Sequence, residues 1–118
     1  MEIKSFYDEI GADYKSVLAR FGNEQLIYRF LKKYFDANEY DVLENAVNEK
    51  NWEAAFICAH NMKGLGLNLS LTELSQVSSV LCEALRGGEP KEDITDMLSH
   101  VKSVYERAEK AFGMLEVE

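Results

Sequence analysis

Apolar residues recur at spacings of three and four along most of this chain, and nowhere do they alternate with polar ones over a strand's length. The pattern is therefore helical throughout. Residues 1–21 read as one or two short helices with a break at Gly11. A turn at Phe21, Gly22 and Asn23 follows, and Asn23 is placed to cap a helix over NEQLIYRFLKKYFDA. Ile27, Phe30, Leu31 and Tyr34 form its expected apolar face. A shorter helix over residues 39–48 turns Tyr40, Leu43 and Val47 to one side. Asn51 caps the next, NWEAAFICAHNMKGLGLNL.

After it, S-L-T-E predicts a capping box in which Ser70 and Glu73 satisfy each other's amide donors. Leu71, Leu74, Ser78, Leu81 and Leu85 run down that helix, Gly87 and Gly88 end it, and Pro90 suits the first turn of the last one. The last helix carries Ile94, Met97, Leu98, Val101, Tyr105, Ala108 and Phe112 on one stripe. Four substantial amphipathic helices with short connections predict an all-α fold, an antiparallel four-helix bundle with a short N-terminal helical segment. At 118 residues the chain has the length of one domain, 1–118.

Composition narrows the function more than the fold. No apolar run approaches the ~20 residues of a membrane span. The opening MEIKSFYDEI also lacks the apolar stretch of a signal peptide. Cys58 and Cys82 show no disulfide framework and read as reduced core residues, so the cytoplasm is the expected compartment. The net charge of −8, from 21 acidic and 13 basic residues, argues against nucleic acid or an anionic membrane as partner.

The helix after Asn51 holds the candidate chemistry. On a wheel of about 100° per residue, Trp52, Ala55, Ala59, Met62, Gly66 and Leu69 fall together as a seam facing the core. Cys58 and Leu65 flank it on one side, Phe56 and Leu67 on the other. Glu53, His60, Asn61, Gly64 and Asn68 occupy the opposite sector, which places the His60 ring in solvent. Gly64 lies one turn beyond His60 on the same face. A glycine inside a helix costs about 1 kcal/mol relative to alanine, so it calls for a reason, and close approach of another molecule is one. Lys63 can swing an ammonium toward a phosphoryl group carried by the ring. Ile57, with Phe56 and Leu67, forms an apolar rim for a partner to bury.

Each feature taken singly has a plainer explanation. A lone helical histidine is usually a satisfied core residue, a lysine a solvated charge, and an exposed isoleucine needs no account. Gly64 and Gly66 can serve close helix packing, the favoured explanation for Gly66 because it lies in the seam. It is their fixed offsets from one histidine that give them weight.

At this point the residues resemble a known family. Ala59 to Leu69, A-H-N-M-K-G-L-G-L-N-L, is similar to the signature of histidine phosphotransfer (HPt) domains, roughly A-H-x-L-K-G-x-x-x-x-L. Ala59, His60, Lys63, Gly64, Asn68 and Leu69 match, and Met62 stands for the usual Leu. Asn51, Trp52 and Glu53 also resemble the family's helix start, and the family's bundle covers the whole chain. Ser70 departs from a common glycine, a change read as harmless for a helix cap. Leu67 departs from a usually small residue and is expected to alter which partner fits.

The resemblance implies a phosphocarrier, not an enzyme with kinase activity of its own. A neutral imidazole nitrogen of His60, Nε2, would attack the aspartyl phosphate of a docked response-regulator receiver domain and later pass the group to another receiver. Lys63 would screen the phosphohistidine, Gly64 would keep the ring accessible, and Phe56, Ile57 and Leu67 would dock the partner. No cofactor is expected on this chain, Mg²⁺ belonging to the receiver. The expected partners are receiver domains and a hybrid sensor kinase, met by a monomer. The starting methionine and domain length suggest a free-standing chain.

The rivals are weaker. No glycine-rich nucleotide loop is present. No Glu-x-x-His offers the inward ligands of a metal bundle, and His100 falls opposite the last helix's apolar stripe as a solvated residue. Cys58 lies about 160° around the helix from His60, too far for a Cys–His pair. A phosphorylation-independent adaptor using the same bundle for binding alone is the serious alternative.

Overall fold

A computed structural model describes residues 2–117, with side chains from 2 to 115. The described residues are helical without strands: α1 (Ile3–Glu9), α2 (Tyr14–Phe21), α3 (Glu24–Asp36), α4 (Glu39–Asn48), α5 (Trp52–Asn68), α6 (Thr72–Leu85) and α7 (Thr95–Val117). Gly11 does separate the first two, at φ +67°. The caps on α3 and α5 form as the sequence suggests. Asn23 accepts from the Leu26 amide at 2.9 Å and Asn51 from that of Ala54 at 3.2 Å, each satisfying an otherwise orphaned first-turn donor. Among these residues no helix is long and apolar enough to cross a membrane.

Side chains from all seven helices meet in one apolar cluster. Helix α5 lies against α4 on one side and, most extensively, against α6 on the other, while α7 closes on both α6 and α4. Helices α3 and α4, separated by two residues, follow one another as a column beside α7. The Tyr28 ring meets Phe112, Phe35 meets Phe112 and Tyr105, and Tyr40 meets Tyr105, so the column runs antiparallel to α7. Asn38, between the two helices, takes the left-handed conformation (φ +51°). Three-residue connections reverse the chain before and after α5.

Three expectations change. The Ser70–Glu73 capping box does not form, because Ser70 belongs to the end of α5. It sits in the left-handed region (φ +58°), its N–H donates to the Leu67 carbonyl, and the Leu71 N–H donates to Gly66 at 2.8 Å. That is the Schellman arrangement, with Ser70 at the position glycine favours. Its hydroxyl bonds Ser16 and Arg20 instead, Leu71 opens α6 without a side-chain cap, and Glu73 pairs loosely with Arg107. Pro90 lies in the segment before α7, outside its first turn. The turn is set later by Asp93, whose carboxylate accepts from both the amide and the hydroxyl of Thr95, and these bonds hold Asp93 below the usual carboxylate range. Phe30 is not part of the core face of α3. It is 38% exposed and stacks on Phe21 at 5.1 Å.

Candidate functional site: the outer face of α5

The inner seam of α5 is where the wheel puts it. Ala55, Ala59, Met62, Gly66 and Leu69 are buried, Trp52 is half-buried at the start, and Cys58 is buried beside them. Burial, together with a hydrogen bond to the Glu39 carboxylate at 3.1 Å, pushes the Cys58 thiol well up, so it stays protonated and inert. Cys82 is also buried and held up by burial. With its seam spent on packing, α5 keeps the other face in water: Glu53, His60, Asn61, Gly64 and Asn68 are all exposed.

His60 lies midway along this face. A Cβ built on Gly64 would meet nothing within 4 Å, so no packing demand explains that glycine. At Gly66 the same atom would come within 3.0 Å of the Ser75 Cβ and backbone nitrogen on α6, so close packing is its explanation. Of the apolar rim, Ile57 is 51% and Leu67 56% exposed, whereas Phe56 is half-buried against the core. His100 is exposed, as expected for a solvated residue.

The side of this face turned toward α6 holds residues the sequence did not single out. The Phe56 ring lies near parallel to the His60 imidazole, with centroids 6.1 Å apart and an interplanar angle of 21°. Arg86, just past the end of α6, places its guanidinium carbon 5.3 Å from the centre of the Phe56 ring. Glu83 fixes that guanidinium through two bonds, of 3.2 and 2.8 Å. Lys63 is half-buried, and its charge reaches Glu83 and Cys82 on α6. Arg86 chiefly, and Lys63 beyond it, hold the Glu83 carboxyl below its ordinary range. One carboxylate thus answers two cations on this side of the helix.

The far end of α5 is fixed by the N-terminal helices. Four carbonyls are bonded there, and all but that of Leu67, which also accepts from the Ser70 amide, would otherwise be orphaned. Arg20 donates to Leu67 and, at 2.6 Å, to Asn68; the Tyr7 hydroxyl donates to Leu69 at 2.6 Å; the Asp13 amide donates to Ser70. Helices α1 and α2 thereby hold the helix that carries His60.

Chemically, the arrangement presents a ring nitrogen to solvent, beside it a phenyl ring that also meets Arg86, a cleared approach one turn on, and apolar side chains at either end. Among the described residues, no group of three or more His, Cys, Asp and Glu side chains could hold a metal ion. Comparison with protein-family models, curated proteins and solved structures gave no match.

Proposed function

We propose that this protein is a histidine phosphotransfer domain that carries a phosphoryl group on His60 between receiver domains. The observation that carries the proposal is the pairing of an exposed imidazole with open space at Gly64, on a helix whose other face is buried. A ring in the core, or a glycine needed for packing, would have favoured the plainer explanation for each. The all-helical fold supports the reading: with α3–α4 counted as one member, α5, α6 and α7 would complete a four-helix antiparallel bundle, and α1–α2 would be its N-terminal segment.

In the transfer, the Nε2 lone pair forms a bond to phosphorus as the acyl O–P bond of the receiver's aspartyl phosphate breaks. The electron pair returns to the aspartate carboxylate, and the proton on Nδ1 stays with the ring. Such a step asks of this chain mainly position and charge compensation. His60 supplies the nucleophile, Lys63 a compensating charge and Gly64 the clearance. Ile57 and Leu67, with the exposed edge of Phe56, supply apolar surface for the receiver, which brings its own Mg²⁺. A cytoplasmic monomer, meeting receivers and a hybrid sensor kinase, completes the proposal.

The test is transfer from a phosphorylated receiver in the presence of Mg²⁺, read as acid-labile, alkali-stable phosphate. The parent protein is expected to take label and His60→Gln none. Equal labelling of the two would refute the mechanism. No label on either, with several active receivers, would favour the phosphorylation-independent adaptor.

A further inference from the structure

Glu83 and Arg86 have no part in the mechanism above, yet Arg86 shares the Phe56 ring with the His60 imidazole. We propose that Arg86 is a second phosphoryl-binding cation and that Glu83 is its place-holder, occupying the guanidinium until His60 is phosphorylated. The inference rests on the phosphotransfer function of His60.

Three observations carry it. First, one aromatic ring, Phe56, is the neighbour of both the imidazole and the guanidinium. Arg86 sits where the C-terminal end of α6 meets the first half of α5, and its three methylenes let the charged group swing without moving either helix. Second, what holds Arg86 is open to solvent. Its pair with Glu83 is formed between exposed side chains three residues apart, and such pairs contribute little against solvent and salt. Third, Glu83 is shared, because the field of Lys63 also falls on it. A phosphoryl group on His60 introduces more negative charge than a carboxylate and three acceptor oxygens. Guanidinium pairs with such oxygens through two parallel bonds, as it already does with Glu83, but here against a larger negative charge. Phosphorylation therefore favours transfer of Arg86 from Glu83 to the phosphoryl oxygens, where it joins Lys63. The exchange makes and breaks ion pairs only; no covalent bond changes.

Glu83 and Arg86 then act in opposite directions, and that is the signature to measure. Loading from a phosphorylated receiver with Mg²⁺, and loss of phosphate after the receiver is removed, would be followed for the parent, Arg86→Gln, Arg86→Lys, Glu83→Gln and His60→Gln. All the altered side chains are exposed, and circular dichroism melts check that each variant folds. Arg86→Gln is expected to lower the loaded fraction and shorten the phosphohistidine lifetime, together by roughly three- to tenfold. Arg86→Lys should recover part of the loss. Glu83→Gln, which breaks the same ion pair, should raise loading. If both variants lower it, the intact pair is merely structural and the inference fails. If neither departs from the parent while His60→Gln stays unlabelled, the inference fails and the phosphotransfer function stands. A parent that takes no label overturns both.

Discussion

Gly64 and Gly66 lie two residues apart on α5 in opposite surroundings. A side chain at 66 would press into the backbone of α6, and one at 64 would meet empty space. The first glycine belongs to the fold and the second is left without a structural reason. The contrast extends along the helix. Its inner face is a tight seam of small residues and Met62, tied into the core. Its outer face carries His60 and makes few internal contacts. On the outer face chemistry can change without disturbing the fold, whereas on the inner face any change, of volume or of charge, is felt as stability.

The sharpest break of that comparison is at Met62 and His60, two residues apart. Met62 is 0% exposed, and truncation to alanine leaves a cavity that costs about 3 kcal/mol, a large part of the stability of a domain this size. Thermal melts should show Met62→Ala well below the parent and His60→Gln on top of it. The two glycines come next. Gly66→Ala strains the α5–α6 contact by about 1–3 kcal/mol and regains about 1 from helix propensity, for a net loss of up to about 2 kcal/mol. Phosphoryl transfer per folded molecule should be unchanged. Gly64→Ala should do the reverse, raising stability by up to about 1 kcal/mol and slowing transfer. A Gly64→Ala protein that transfers at the parent rate would remove the case for that glycine as the clearance for a partner.

What the sequence allowed to be read divides along the same line. The seam of α5, the exposure of His60 and the caps at Asn23 and Asn51 depend on neighbours within about one turn, and local spacing reports them. Ser70 was misread because its conformation is decided by how α5 ends and by Arg20, fifty residues away. A capping box and a left-handed helix terminus both accept a serine, and spacing alone does not choose between them. Phe30 has the right spacing for a core residue but lies at the edge of α3, where Phe21 covers one side of it only. Arg86 had a usable signal. Helices α5 and α6 are joined by three residues and pair at Gly66 and Ser75, so counting outward from the turn brings Phe56 opposite the end of α6. The start of α7 was also legible, in Asp93 two residues before Thr95, but Pro90 was the more conspicuous mark.

The smallest expected effect is a dependence on pH that only the inner face should show. Burial, and next the bond to Glu39, raise the Cys58 thiol above its ordinary 9.0 in the folded protein. As pH rises past that value, the unfolded chain loses the thiol proton while the folded chain keeps it. The unfolded state then binds fewer protons, so stability is fully present below about pH 9 and falls above it. Cys82 adds in the same direction, and the buried phenols of Tyr7, Tyr34 and Tyr105 continue the fall at higher pH. Chemical denaturation across pH 7–10.5 should therefore show a shallower alkaline decline in Cys58→Ala than in the parent, whatever the packing cost of the substitution at pH 7. His60→Gln should keep the parent's alkaline slope. A change of slope in His60→Gln, or none in Cys58→Ala, would mean that the two faces of α5 are not separate in the way their burial indicates.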